Sequence, residues 1–567
     1  MSASPSIERL VRASAQDIPW DTTVDVLVVG SGGAGHAAAI AARLAGAETM
    51  IVEKEQSVGG TTAKAGGGTD EIASTWLWIC NHPWLADLGV DDPRDDALRY
   101  LCRLARPELY SPSHPNNGIP DDEFALLEAF YDNGRNAVAA LSASGALDLA
   151  PLRSTYDYYA DLPENKAPQG RGLYLRMRDG REGTGADIIA SMSSTAAELG
   201  IVTRTNSSLR TLIVDDESDE VVGAIVGGSA SQVEMVRARG GIVFATGGYT
   251  RNPELMRTTL RGPVLGGLAS DGNTGDLVEI ASSLGAELRT MNEAWYVPMV
   301  LDLAPYPLSG AFRLPGDSMI LVNRRGHRVV DEKTTYNEMT RAFFQWDAAR
   351  AEYPNLPLVM IYDSSVSERC RAMPEDAPVT EGGGNPLPRI AGEGHEIVAD
   401  TWAELAEHID AKLVQFDHLV PGARLASDFL PSLASTISRW NAMAAEGVDH
   451  DFARGGTRTE RARSGAARPN PQPNPTMHAF SNDGPYYAVV LVPGTLDTKG
   501  GPRIDPHARM VRHDSSPIEG LYGAGNCVGS PAGQAYWAGG TTLGLGMTFG
   551  FIAGQHAAQR AAERNAP

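Results

Sequence analysis

The first uninterrupted apolar run of the chain, Val26-Leu27-Val28-Val29, has the length of a buried strand. It stops at Gly30-Ser31-Gly32-Gly33-Ala34-Gly35, and the small residues from His36 to Ala45 then predict a helix. A second short run, Thr49-Met50-Ile51-Val52, ends in Glu53. Between 70 and 180 the pattern weakens. Asp121 to Gly145 keeps helical spacing, and Trp76, Trp78 and Trp84 read as packing residues. Helix and strand alternate again with a helix over Ala186–Leu199 and strands over Val202–Arg204, Ser208–Val214, Val221–Val226 and Gly241–Phe244. Residues 294–497 change character, with prolines, aromatics and short mixed segments. The last apolar block, Gly520-Leu521-Tyr522-Gly523, leads through a loop into a glycine-rich helix near Leu543-Gly544.

These blocks predict an α/β fold. A Rossmann-like nucleotide-binding domain is expected in two pieces, residues 22–293 and 498–567, with an α+β substrate (cap) domain inserted at 294–497. The turn at Gly30–Gly35 is G-x-G-x-x-G between strand and helix, followed about twenty residues later by an acid, which is the dinucleotide fingerprint. Gly30, Gly32, Gly33, Ala34 and Gly35 would let the chain approach a pyrophosphate resting on the helix N-terminus. Glu53 would take the ribose hydroxyls, with Lys54 beside it. Gly60, Thr61, Thr62, Gly66 and Gly67 form a second glycine and hydroxyl cluster suited to lie along the same ligand. Ala245-Thr246-Gly247 and Asn273 to Asp276 are further turns of that kind. His36 has no second metal-type residue at helical spacing, and no metal site is expected.

Composition narrows the function. A net charge of −22 argues against nucleic acid and anionic membrane surfaces as partners. The four cysteines, Cys80, Cys102, Cys370 and Cys527, are scattered and form no C-x-x-C, which suggests a reducing, cytoplasmic setting. Met1 to Trp20 lacks the apolar core of a signal peptide, and no run of about eighteen apolar residues suggests a membrane span.

Taken with the fingerprint, Ala245-Thr246-Gly247-Gly248, Asn273-Thr274-Gly275-Asp276, Thr498-Lys499-Gly500-Gly501 and Gly523-Ala524-Gly525-Asn526 resemble the flavoprotein superfamily of succinate dehydrogenase and fumarate reductase. Within it the chain is most similar to the 3-ketosteroid Δ1-dehydrogenase family. The similarity lies in the Asp157-Tyr158-Tyr159 loop, in Tyr336 after Asp331-Glu332, and in Tyr536 four residues before Gly540. The resemblance implies non-covalent FAD, since no histidine or cysteine lies between Lys54 and Thr75, and adds Gly525, Asn526, Thr542 and Leu543 to its binding residues. It also implies roles. The Tyr536 hydroxyl and Gly540 N–H would hold a ring ketone, Tyr336 would take the α-proton, Tyr158 would steady Tyr336, and the β-hydrogen would pass to the flavin as hydride. The expected partners are a cyclic ketone or steroid and an electron acceptor that the sequence does not name.

The family's Tyr-Pro-Gly-Pro-Gly loop reads Tyr536-Trp537-Ala538-Gly539-Gly540 here. The added indole makes a smaller, cyclohexanone-like ketone or another steroid bond the alternative substrate. Trp295 and Trp537 are expected as pocket walls, Tyr486 and Tyr487 under the flavin or in the pocket, and Lys499 as a structural residue. A fumarate-type reductase needs histidine and arginine in the C-terminal loop, and Asn526 to Gly544 contains neither. A non-catalytic flavin-binding subunit has no interaction tail or cysteine pair to support it.

Overall fold

The strand Thr22–Val29 lies between Gln232–Phe244 and Thr49–Val52 and runs parallel to both. Neighbours on both sides and cover on both faces explain why its sequence is a continuous apolar run rather than an alternation. Pro517–Gly523 pairs parallel with Gln232–Phe244, and Val202–Arg204 with Thr49–Val52. An antiparallel meander, Ser208–Asp215, Val221–Ser229 and Gln232–Phe244, with Leu10–Ala13 and Arg509–Val511 beyond it, brings the sheet to nine strands among the described residues of this computed structural model. The structure describes residues 10–65, 74–153, 155–229, 232–304, 317–371, 394–464 and 472–566. Gly66 and Gly67 lie outside the described residues.

Two helices pack on one another beside this sheet, Gly33–Leu44 and Thr541–Asn565. The first begins three residues before the His36 start expected from the sequence. The fingerprint glycines themselves form its first turn. A side-chain carbon at Gly550 would stand 2.3 Å from the Ala34 carbonyl oxygen, and one at Gly554 2.1 Å from that of Ala38. Glycine four residues apart on one helix therefore meets alanine four residues apart on the other, and the backbones touch. The ascending match makes the helices parallel, so both N-termini open at the same end of the sheet.

A second sheet of six strands centres on Tyr486–Thr498, which pairs antiparallel with Ala294–Val300, Leu358–Asp363 and Ile397–Ala399. Its side chains sort with period two. Ala488, Val490 and Val492 join a core with Leu405, Ile409 and Trp440 of the flanking helices, while Tyr487, Val489 and Leu491 join another with Phe343 and Met360. This settles Tyr486 and Tyr487, which do not line the flavin cavity as expected. Tyr486 stacks on Trp402 at 3.7 Å and Tyr487 on Tyr362 at 5.3 Å. They sit at the far end of a strand whose other end carries Asp497, roughly 33 Å along an extended chain.

A small antiparallel sheet of Trp76–Trp78, Gly172–Leu175 and Leu149–Pro151 completes the framework. Beside it the fully buried Arg171 donates to Asp92 (2.9 Å) and Asp157 (2.8 Å) and lies over the Trp78 and Tyr100 rings. Asp157 also accepts from Trp78 Nε1 at 2.7 Å. Burial pushes its carboxyl up to about 6 despite the Arg171 guanidinium. The loop carrying Tyr158 is thereby tied into the core at the residue before the phenol.

Candidate active site

Where the two parallel helices open, a cavity is lined by Gly30, Gly32, Gly33 and Ala34, by Glu53 and Lys54, and by Thr542 and Leu543. Gly60, Thr61, Thr62, Ala245, Thr246, Gly247, Asn273, Asp276, Gly525 and Asn526 complete the set drawn from the sequence. Gly30 has φ of +102°, and a side-chain carbon there would stand 2.4 Å from the Ala245 carbonyl oxygen. Gly35 does not line the cavity. A carbon there would meet the Gly30 oxygen at 2.0 Å, so this glycine lets the helix close on the strand. Glu53 accepts from Ser31 N (3.0 Å) and Oγ (2.6 Å), which fixes its carboxylate at the cavity wall. Lys54 Nζ donates to Thr274 Oγ1 and Asp276 Oδ2, both at 2.8 Å. Thr61 and Thr62 accept from Ser270 N and Gly33 N.

These residues fit a dinucleotide. Two helix N-termini with their positive ends converge on one space. The Thr542 hydroxyl is buried there without a partner among the described residues, as a group that waits for a ligand acceptor would be.

The sequence reading missed Asp497. It lines the same cavity, is buried, and accepts from Gly248 N (3.0 Å), Thr250 Oγ1 (3.0 Å), Asn273 Nδ2 (2.7 Å), Thr498 N (2.9 Å) and Asn526 Nδ2 (3.0 Å). Burial raises its pKa against the pull of these donors. Its place immediately before Thr498-Lys499-Gly500-Gly501 was the available signal. Because Asn526 gives its amide N–H to Asp497, its Oδ1 faces away and accepts from Trp295 Nε1 at 3.0 Å. Trp295 in turn meets the Tyr536 ring edge-on at 4.9 Å.

Tyr536 is one of three phenols that meet. Tyr158 Oη donates to Tyr336 Oη at 3.0 Å, and the Tyr536 ring lies 5.5 Å from Tyr158 and 5.4 Å from Tyr336. Each is held by its own neighbourhood. Tyr158 N donates to the Trp537 carbonyl at 2.9 Å, which joins two of the three loops. Tyr336 opens the helix Tyr336–Arg341, capped by Thr335. The preceding Glu332 is buried between Arg328 (2.7 Å) and Arg454 (3.2 Å), which hold its carboxyl low against burial. Asp331 is instead pushed up to about 7, by burial first and then by Glu460. Tyr159 takes a different path from Tyr158. Burial and the neighbouring Glu338 push its pKa far up.

Gly540 precedes the helix Thr541–Asn565 with φ of +92°, and a side-chain carbon there would stand 2.7 Å from the Trp76 carbonyl oxygen. Its own carbonyl accepts from Trp78 N at 3.1 Å. Its N–H has no partner among the described residues. Trp537, expected as a pocket wall, is buried between Trp78 (5.5 Å) and Phe130 (6.0 Å). The backbone turn that sends residue 536 to the phenols sends residue 537 into the core.

A family model described as an FAD binding domain matches residues 25–543. The chain belongs to that family. It is an FAD-dependent oxidoreductase with a flavoprotein fold, and the residues that fit a dinucleotide are the ones that would hold FAD. A 3-oxosteroid 1-dehydrogenase of Mycolicibacterium smegmatis is 29% identical, over 95% of this chain and 98% of that protein. A 4-oxocyclohexanecarboxylate 2-dehydrogenase of Sinomonas cyclohexanicum is 28% identical, over 95% and 94%. Among solved structures, the 3-ketosteroid Δ1-dehydrogenase of Sterolibacterium denitrificans in complex with 1,4-androstadiene-3,17-dione matches with a TM-score of 0.77 and 26% identity, over 95% of this chain and all of that one. The resemblance to the 3-ketosteroid Δ1-dehydrogenases, within the succinate dehydrogenase and fumarate reductase superfamily, holds for the FAD-dependent oxidoreductase as a whole. No helix of the described residues is long and apolar enough to cross a membrane.

Proposed function

We propose that this FAD-dependent oxidoreductase introduces a carbon–carbon double bond beside a ring ketone, with the 1,2 bond of a 3-ketosteroid as the favoured substrate. The observation that carries the reading is the hydrogen bond from Tyr158 to Tyr336, 3.0 Å long, with Tyr536 packed against both rings. A C–H next to a carbonyl is a very weak acid. The Tyr536 hydroxyl and the unpartnered Gly540 N–H receive the ketone oxygen and lower the cost of its growing charge, at about 3 kcal/mol for one such donor. Tyr336 takes the α-proton on its oxygen. A phenol with an ordinary pKa near 10 is a poor base, and the hydrogen bond donated by Tyr158 favours its anion. Bound FAD supplies the acceptor for the β-hydrogen and its electron pair. Segment 294–497 serves as the cap that carries Tyr336 to the cofactor. The described cysteine side chains are buried free thiols, in keeping with a cytoplasmic setting.

A smaller cyclic ketone is the second reading. It is favoured by the Sinomonas relative, whose name gives a 4-oxocyclohexanecarboxylate substrate. An anaerobic flavin-bleaching panel tests both, using a 4-ene-3-ketosteroid and a series of cyclohexanones. Fast bleaching by the steroid supports the first, and bleaching by monocyclic ketones alone supports the second. A protein bleached by neither overturns ring-ketone desaturation.

A further inference from the structure

Lys499 is buried with no exposure, and no carboxylate pairs with it among the described residues. Its ammonium is held instead by two backbone carbonyls, Ala535 at 2.7 Å and Gly533 at 3.2 Å, and by the face of Trp295, 3.9 Å from the ring centroid. Two of these three supports bear directly on Tyr536. Ala535 is the residue directly before it, and Trp295 is the indole against which its ring packs. The lysine's own backbone is pinned at both ends, its N–H donating to the Glu293 carbonyl (3.0 Å) and its carbonyl accepting from Ser530 N (2.9 Å).

We propose that Lys499 is the positioning residue of Tyr536, its ammonium clamping the backbone before the phenol and the indole beside it so that the hydroxyl is aimed at a ketone oxygen. The inference rests on the proposed ketone site. A cation held by carbonyls and a π face fixes direction without a carboxylate that would compete for the phenol's proton. A buried ammonium also favours negative charge gathering nearby. The charged groups facing Lys499 are Glu293 from the segment before Ala294–Val300, Glu338 and Arg341 from the helix Tyr336–Arg341, and Arg106 beyond the helix Arg94–Ala105. Burial, which outweighs Glu293, lowers the lysine to about 7. The clamp therefore titrates near neutrality, and its contribution to turnover falls as the pH rises through that value.

The test is K499M and K499Q in the FAD-loaded full chain, beside Y536F. Both lysine variants are expected to keep FAD and to lose about 10²-fold in kcat with little change in KM, the cost of a misplaced catalytic group. The kcat–pH profile of the parent is expected to carry an ionisation near 7 that both variants lack. Parent-like kcat in K499M overturns the inference, as does a variant profile with that ionisation intact. If neither variant folds, a parent profile with no ionisation near 7 overturns it. Y536F separates the two claims. If it is as active as the parent the ketone site itself is wrong, and if it is impaired while K499M is not, only the clamp is wrong.

Discussion

The cofactor cavity and the tyrosine cluster share a wall at Asn526 and Trp295, yet they are made by different means. The cavity is mostly backbone. Short consecutive stretches such as Gly30–Ala34 and Ala245–Gly247 line it, and shape does the work: a single added carbon at Gly30 collides with Ala245. The cluster is mostly side chains brought together from distant segments. Tyr158 and Tyr336 are 178 residues apart, and the three phenols pack on one another from different segments. The first region is therefore sensitive to volume and tolerant of chemistry, and the second the reverse. Removing one oxygen from the cluster should cost catalysis and leave binding and folding intact.

Y336F draws that contrast most sharply. It is expected to remain yellow and folded while flavin bleaching by a ring ketone slows by about 10²–10⁴-fold, the usual worth of a general base. Parent-like bleaching would break the contrast at its centre. Y536F should slow the same step by about 10²–10³-fold, as for loss of one donor to a developing oxyanion, again with FAD retained. Asp497 lies on the shared wall, and D497N should blur the two regions. The new amide N–H₂ would face groups that already donate, so FAD affinity, measured by titration of the apoprotein, should fall about tenfold to a hundredfold. Bleaching per bound flavin should fall with it, as Asn526 and Trp295 lose their orientation. Y158F removes the hydrogen bond to Tyr336, and about a tenfold loss is expected in the bleaching rate.

The last effect is thermodynamic. Lys499 is lowered from 10.5 to about 7 in the folded chain, so between those values the unfolded chain binds more protons. The parent should therefore gain stability relative to K499M as pH rises through that window, and lose the gain below it. Parallel melting curves for the two across the window would show that the lysine is not held in a low-dielectric site.

The same contrast explains what could be read from the residues in order. The strand Thr22–Val29, the turn after it and the acid Glu53 are local, and their spacing follows from chain geometry. Tyr158, Tyr336 and Tyr536 were legible through their similarity to a family, because no periodicity brings together side chains from three distant segments. Misreadings arose where direction was needed. Trp537 sits beside Tyr536 in sequence but stacks on Trp78 and Phe130, since successive residues of the loop face opposite ways. Tyr486 and Tyr487 sit on a strand that does reach the cavity, but at its other end. Asp497 and Ser31 were passed over because each sits beside residues that carried a motif.

The strand Tyr486–Thr498 is thirteen residues long, buried throughout most of its length, and paired on both sides. It runs from the middle of the second sheet directly to Asp497, with no loop between to absorb slack. A rigid rod of this kind cannot swing at its tip without dragging the contacts there. Any tilt of the second sheet away from the first must pull Asp497 away from Asn273 and Asn526. Movement of the second sheet and retention of the flavin are thus mechanically linked, and loss of the flavin should leave that sheet looser than saturation with it.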